Sequence, residues 1–202
     1  MPKGSPELTK ARKEEIIAAC ETLYQTMSFK EITIKEIANF TSFTRTSIYN
    51  YFETKEEIFL ALLEKEYSLW TAEVEKIYLG GKLTEEQFAD KLARSLDKRK
   101  QLLKILSMNH YDMEENSRGE NLVDMKIAYG NSMEAVKKCL EKFFPQVDTD
   151  NFIYTFFPFM FGIYPYSIVT DKQKNAMSSA GIDYTYMSVY DLTKKCILNL
   201  LR

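Results

Sequence analysis

Residues 32–62, ITIKEIANFTSFTRTSIYNYFETKEEIFLAL, are the most informative part of this chain. Thr33 and Glu36 have the spacing of a capping box, in which a hydroxyl and a carboxylate satisfy free amides at the start of a helix. The short helix that they begin ends at a three-residue break, 41–43, and a second short helix is predicted over 45–51. Two short helices around a tight break are the helix-turn-helix pattern, whose second helix lies in the major groove of DNA.

The second helix of this pattern has an unusual outer surface. Its side chains are mostly hydroxyls and amides, whereas a helix that merely faced solvent would carry more Glu and Lys, which form helices better. Hydroxyls donate to phosphate oxygens, an arginine can bind a guanine edge through two hydrogen bonds, and an asparagine can pair with an adenine edge. We therefore expect Arg45 and Asn50 to contact bases, with a phosphate contact or a solvated side chain as the alternative for Arg45. Thr44 is the expected helix cap, and Ile48 and Phe52 are expected to anchor the helix from inside.

The segment from about residue 8 to 63 resembles the DNA-binding domain of the TetR family of transcriptional repressors. The family pattern is a Thr cap, Ile-Ala, a turn, a small polar run, Leu or Ile before Tyr, two groove-facing residues, Phe, and Lys-Glu-Glu before an apolar helix. This chain has the pattern without an insertion. The family often has glycine where this chain has Ser42, and glycine or proline where it has Thr46, which leaves the base preference open. The resemblance implies DNA contacts at nine positions: Lys35, Thr44, Arg45, Thr46, Ser47, Tyr49, Asn50, Tyr51 and Lys55.

Two simpler interpretations stay open beside this one. A helical hairpin used only for packing has the same element pattern, but it would leave the polar outer face unexplained. The basic residues near the N-terminus form either an arm that follows DNA phosphates or an ordinary mobile chain terminus. These residues are Lys3, Lys10, Arg12 and Lys13.

The rest of the chain also has the spacing of helices, and the predicted fold is all-α. Only 7 glycines and 5 prolines occur in 202 residues, which favours long helices over a many-stranded protein. The long helix that follows the second short one is predicted to end at Gly80-Gly81, because two glycines lose too much backbone entropy to continue it. Further capping boxes begin at Thr54, Thr84 and Thr170. Residues 109–119 are predicted to form a loop, and the last helix is predicted over about 184–201.

We expect two domains, a DNA-binding domain over 1–55 and a helical ligand-binding and dimerisation domain over 56–202. Residues 152–166 contain eight aromatic side chains, so a helix here is apolar nearly all round and must be covered on several faces. It is shorter than a bilayer span of about 20 residues and contains two prolines, so a buried helix is expected. Core, dimer interface and ligand cavity would all use such a helix, and we expect core and interface for most rings. With the last helix, this surface predicts a homodimer.

The C-terminal domain has a surplus of bulky, flexible side chains on neighbouring helices, which predicts an apolar cavity for a small molecule. Core packing is the alternative, because methionine at helical spacing is usually core. No buried acid–base pair or metal set is recognisable among these residues, so an apolar or aromatic guest is expected, without a cofactor. Met108 and Met113 also fit such a cavity. The expected lining residues are Trp70, Leu103, Met125, Tyr129, Met133, Phe157, Met160 and Phe161.

Composition narrows the functional classes further. The net charge of −2 does not by itself indicate a nucleic-acid partner, so DNA contact must come from a local basic face. Three cysteines at distant positions form no disulfide framework, and the N-terminus lacks the apolar core of a signal peptide, so a cytoplasmic protein is expected. The single histidine, His110, has no metal-ligand spacing around it and is expected to be exposed. No phosphate-binding glycine loop or nucleophile elbow is present, which argues against an enzyme.

These observations favour a ligand-responsive transcriptional regulator, a repressor that binds a palindromic operator as a dimer. The alternative is a DNA-binding architectural or partner-recruiting protein without a ligand, whose C-terminal domain would be closed and packed. For the regulator, two half-sites lie about 34–36 Å apart, and a ligand that prefers another spacing of the two recognition helices weakens DNA binding. The long helix after Thr54 is the expected lever. Whether ligand releases DNA or promotes binding is left open.

Overall fold

The computed structural model describes residues 5–107 and 110–202, and for His110 it describes the backbone alone. Three predictions from the sequence lie outside the described residues, because they concern Lys3, Met108 and the side chain of His110. The described residues form eleven α-helices and no strand, so the predicted all-α fold is confirmed. The helices are α1 Pro6–Thr26, α2 Ile34–Ala38, α3 Arg45–Ile48, α4 Lys55–Tyr78, α5 Glu85–Asp97, α6 Lys100–Leu106, α7 His110–Glu115, α8 Gly119–Phe143, α9 Thr149–Ser167, α10 Asp171–Ser179 and α11 Val189–Leu200.

Most helices begin where a side-chain oxygen can accept a hydrogen bond from a free backbone amide. The predicted capping boxes at Thr84 and Thr170 are both complete, since each hydroxyl accepts from the third helical amide and the glutamine there accepts from the cap amide. Thr33 accepts from the Glu36 amide at 3.3 Å. Thr44 occupies the cap position of α3 without a cap hydrogen bond, because its hydroxyl pairs with that of Ser47 at 3.1 Å.

Three predicted boundaries were wrong. Residues 110–115, predicted as loop, form α7, whose Met113 is only 1% exposed and anchors a helix of otherwise polar composition. The last helix begins at Val189 instead of near 184, because the Ser188 hydroxyl accepts from the Asp191 amide and so sets the start. The second helix of the helix-turn-helix is α-helical only over Arg45–Ile48 and continues as hydrogen-bonded turns to residue 52.

The chain forms two compact units. The first unit consists of the N-terminal part of the chain up to Glu66 and of a later segment that ends at Tyr129. The second unit consists of Tyr67–Ser107 and Gly130–Arg202. In the core of the first, the Phe59 ring lies 5.0 Å from the Tyr24 ring and 4.7 Å from the Phe29 ring.

The second unit packs α5 against α11, and α9 against α6 and α11. Its core is rich in rings, with Phe88 and Phe144 5.3 Å apart and Trp70 and Phe157 5.8 Å apart. The aromatic helix α9 buries one face in this core and leaves Tyr154 72% exposed. Within the described residues, no single helix has both the length and the apolar composition needed to cross a membrane, and α9 and α10 meet that test only as a pair bent by 82°.

Candidate nucleic-acid interface

The turn between α2 and α3 is held in place by α1. Arg12 donates to the Ser42 hydroxyl at 2.7 Å, and its guanidinium lies over the Phe43 ring at 4.7 Å. Glu15 accepts from the Ser42 amide, and this bond is the largest cause of a Glu15 pKa below its ordinary value. The turn that often contains glycine in the resembled family therefore has a serine here with both of its polar groups bound.

The recognition segment, residues 44–52, is anchored from inside by Ile48 and Phe52, which are 0% and 3% exposed as predicted. The amides of Tyr51 and Phe52 both donate to the Ile48 carbonyl, at 2.9 and 3.1 Å, and so extend the short helix by a tight turn. This arrangement presents the polar side chains of the segment outward.

Most of the predicted DNA contacts lie on the exposed face of this segment. Ser47, Tyr51 and Lys55 are half-buried. The exposed residues among the nine are Lys35, which lies on α2, and Thr44, Arg45, Thr46, Tyr49 and Asn50 of the recognition segment. Arg45 donates to the Tyr49 hydroxyl at 3.1 Å, so the guanidinium and the phenol are held together on one side of the helix. Their DNA contacts stay predictions.

Lys55 has a structural role that the sequence pattern did not reveal. Its ammonium group donates to the carbonyls of Phe29 and Ile32, at 2.8 and 3.3 Å, and lies 4.2 Å from the centre of the Phe29 ring. An ammonium group has three donors, so a phosphate contact is compatible with these two bonds.

Arg118 and Glu57 form an ion pair beside the recognition segment that sequence analysis missed. Nε and Nη2 of Arg118 donate to the two Glu57 carboxylate oxygens at 2.6 and 2.9 Å, and Nη2 also lies 3.3 Å from the Tyr51 carbonyl. Burial acts to raise the pKa of Glu57, but hydrogen bonds from Arg118 and from two backbone amides outweigh it, so the pKa lies below its ordinary value. The spacing of Thr54 and Glu57 predicted a capping box, in which the Glu57 carboxylate would accept from the Thr54 amide. The carboxylate accepts instead from the Glu53 amide at 2.8 Å.

The predicted ligand-lining residues are mostly core residues of their own units. In the first unit Met125 is buried and Tyr129 half-buried. In the second unit the buried members are Trp70, Leu103, Phe157 and Met160, and the half-buried members are Met133 and Phe161. These eight line none of four open clefts within the described units, the two largest of which have volumes of about 630 and 610 Å³. Their role in ligand binding stays a prediction.

The described residues contain no group of three or more His, Cys, Asp and Glu side chains that could hold a metal ion. The three cysteines are free, with Cys20 and Cys139 buried and Cys196 half-buried. Burial raises the pKa of Cys139 to about 12 and that of Cys196 to about 11.

Comparison with known proteins gives matches along nearly the whole chain. Residues 16–62 match the model of bacterial regulatory proteins of the tetR family, and residues 64–197 match that of the tetracyclin repressor-like C-terminal domain. An uncharacterized HTH-type transcriptional regulator, YfiR of Bacillus subtilis, is 33% identical over 64 residues, which span 30% of this chain and 31% of that protein.

Solved structures share the fold at low identity. The fatty acid degradation regulator FadR of Bacillus halodurans is similar with a TM-score of 0.61 at 15% identity, over 98% of this chain and 96% of that chain. A putative TetR-family regulator of Mesorhizobium loti gives 0.62 at 15%, over 96% of each chain. Thermus thermophilus FadR, a repressor solved with lauroyl-CoA, gives 0.57 at 18%, over 94% of this chain and 93% of that chain.

Proposed function

Because this chain belongs to the TetR family of bacterial regulatory proteins, we propose that it is a ligand-responsive repressor that binds a palindromic operator as a homodimer. The family establishes the coarser statement, that the chain is a DNA-binding transcriptional regulator and not an enzyme. The repressing role, the operator symmetry, the dimer and the ligand are the proposed parts.

The observation that carries DNA reading is the division of the recognition segment into two faces. Ile48 and Phe52 are buried, while Arg45, Tyr49 and Asn50 are exposed on the outer side. A segment anchored in this way presents its polar groups in a fixed orientation, which supports base contact by Arg45 and Asn50 and phosphate contact by the hydroxyls.

A palindromic site follows from pairing two chains about a two-fold axis. Each chain places one recognition segment in the major groove, and the two half-sites lie about 34–36 Å apart. Exposed aromatic residues on α9, including Tyr154 and Tyr166, support an interface made by the second unit, since they are 72% and 61% exposed. The same proposal assigns DNA binding to residues 1–55 and dimerisation to residues 56–202.

The proposed effector is a small apolar or aromatic molecule held by the C-terminal domain. The observation that supports it is the set of large, flexible side chains in this domain, of which Met133 and Phe161 are half-buried. The related Thermus thermophilus repressor was solved with lauroyl-CoA, which supports an effector with a long apolar part. An effector changes DNA affinity only by its differential affinity for the two arrangements of recognition helices, and α4 is the proposed lever between effector and DNA.

The alternative is a DNA-binding protein without an effector, which organises DNA or recruits a partner. The deep burial of Trp70, Leu103 and Met160 favours it, because a fully packed core leaves no room for a guest. The two functions share the DNA interface and differ only in the response to small molecules.

One experiment tests both functions. DNA flanking the gene of this protein is footprinted with the full-length chain, with and without lauroyl-CoA, dodecanoic acid and a panel of small aromatic compounds. We expect a palindromic protected site, and at least one compound that changes protection and raises the thermal midpoint together, because both report one equilibrium. Protection that no compound changes would support the effector-free alternative. Absence of any protected site would overturn the DNA-reading role.

A further inference from the structure

Arg118 lies just before α8 and contacts the recognition segment, although the two are far apart in the chain. Its Nη2 group is within hydrogen-bond distance of the Tyr51 carbonyl, at 3.3 Å. Tyr51 closes the tight turn that carries the predicted DNA contacts Tyr49 and Asn50. Arg118 therefore binds the backbone of the recognition segment near its C-terminal end.

The anchor of Arg118 is the Glu57 carboxylate, which is only 1% exposed. Both carboxylate oxygens accept from the guanidinium, and one of them also accepts from the Arg118 amide at 3.1 Å. A two-pronged Arg–carboxylate pair fixes orientation as well as distance, because both groups are planar. Breaking such a pair on one side leaves a buried charge without a partner, which is strongly unfavourable.

A second bond ties the same two segments together. The Thr54 hydroxyl donates to the Asn116 carbonyl at 2.9 Å while accepting from the Glu57 amide at 3.2 Å. Residues 116–118 thus contact the recognition segment at Tyr51, the connection after it at Thr54, and the first turn of α4 at Glu57. A single contact would allow rotation, whereas three separated contacts define one orientation.

We infer that Arg118 is a positioning residue for DNA recognition, which fixes the orientation of the recognition segment through Glu57 and the Tyr51 carbonyl without touching DNA. The inference rests on the proposed DNA-reading function of that segment. Arg118 acts on specific binding, because base contacts need the exact pose of the side chains. General attraction to phosphates depends less on this orientation.

The test compares two variants that each lose one positive charge near the start of α8. Arg118→Gln removes the proposed positioning contacts. Lys126→Gln is the matched control, because Lys126 forms a 2.5 Å ion pair with Glu114 in the same unit and has no described contact with the recognition segment. Each full-length variant is titrated with the footprinted operator and with a scrambled duplex of equal length, below its unfolding transition.

The ratio of operator to scrambled affinity is the decisive readout. We expect Arg118→Gln to reduce it by roughly two- to thirtyfold and Lys126→Gln to leave it unchanged. Loss of folded protein alone lowers both affinities by the same factor and leaves this ratio intact. The double variant Arg118→Gln/Glu57→Gln removes the unpaired buried carboxylate, so it keeps the test valid if the single variant does not fold, and it should show the same loss.

An unchanged ratio in the folded double variant would overturn the inference and leave Arg118 a purely stabilising residue. An operator affinity that falls equally in Lys126→Gln would also overturn it, because the effect would then be one of charge. Failure of the wild-type chain to bind any operator is a different result, since it removes the proposed function on which the inference rests.

Discussion

The indole N–H of Trp70 donates to the Ser95 hydroxyl at 3.0 Å, and Ser95 in turn donates to the Leu92 carbonyl at 2.8 Å. Trp70 and Ser95 are both buried, at 0% and 5% exposure. Ser95→Ala leaves the indole N–H without a partner in an apolar interior, and we expect the free energy of unfolding to fall by about 1–3 kcal/mol. Urea denaturation followed by tryptophan fluorescence measures this, because Trp70 is the single tryptophan.

Ser68→Ala is the control for that change, because Ser68 is an exposed serine on α4, the helix that carries Trp70. We expect an effect within about 0.5 kcal/mol there. Equal losses in the two variants would mean that the buried hydrogen bond does not contribute.

Arg45 is the residue for which base contact is easiest to test. If its guanidinium makes two bonds to a guanine, Arg45→Ala should cost about 1–3 kcal/mol in operator affinity and relax the preference at one base pair. Tyr49→Phe should have a smaller effect of the same kind, because the Tyr49 hydroxyl holds Arg45 at 3.1 Å. Binding to a library of single-base operator variants provides the measurement, with Arg94→Ala in α5 as a charge-matched control. A preference that survives Arg45→Ala would assign Arg45 to the DNA backbone.

Lys55 should show two separable effects. Loss of a phosphate contact weakens binding to every sequence equally and makes the salt dependence shallower by about one unit. Loss of the bonds to the Phe29 and Ile32 carbonyls lowers stability by about 1–3 kcal/mol. Lys55→Ala is compared with Lys35→Ala, which changes an exposed lysine and should affect only DNA binding. A Lys55→Ala chain that is less stable but has an unchanged salt slope would restrict Lys55 to its structural role.

Acid should weaken the first unit through Glu57. The pKa of Glu57 in the folded chain lies below its ordinary value of 4.5, so this carboxylate contributes stability above about pH 4.5 that is lost as the pH falls through the folded-state pKa. Glu64 has the opposite sign, because burial and then Asp124 raise its pKa, so its contribution is present at low pH and lost as the pH rises. Glu57→Gln should flatten the acid decline in unfolding free energy and Glu64→Gln should steepen it. Identical pH profiles for both variants would contradict this assignment.

If the chain is a homodimer, light scattering at micromolar concentration should give a mass of twice 23.6 kDa. Tyr154→Glu, on the exposed face of α9, should shift the equilibrium toward monomer because a charge would enter the interface. Tyr111→Glu serves as the control, since Tyr111 is 85% exposed on α7. A monomeric wild-type chain that binds DNA one copy per site would rule out the two-fold arrangement.

Local signals explain what the sequence predicted well. The capping boxes at Thr84 and Thr170 and the inward anchors Ile48 and Phe52 depend on residues within one or two turns of each other, so their spacing in the chain determines them. The helix α7 escaped prediction because Met113 is the one buried side chain among its described residues 111–115, and one anchor gives no periodic pattern. The opposite error occurred before α11, where residues 184–188 were predicted as helix although none of them is buried and α11 begins at Val189.

The candidate site was predictable only in part. Its exposed contact residues follow from the motif, whereas the contacts that hold the motif in place join distant parts of the chain. Arg12 with Ser42, Lys55 with Phe29, and Arg118 with Glu57 are such pairs. A charged residue on an amphipathic helix has many possible partners, and one sequence does not say which of them the fold brings within hydrogen-bond distance.

The burial of the native thiols makes the chain suited to distance measurements by site-directed labelling. Only the thiolate reacts quickly with maleimides or nitroxide reagents, and the raised pKa values of Cys139 and Cys196 keep these thiols protonated at neutral pH. A cysteine introduced in place of exposed Lys35 would therefore be modified first, without removal of the native ones. In a homodimer, two spin labels at that position would report the separation of the DNA-binding faces directly, and its change on adding an effector could be read as a distance distribution.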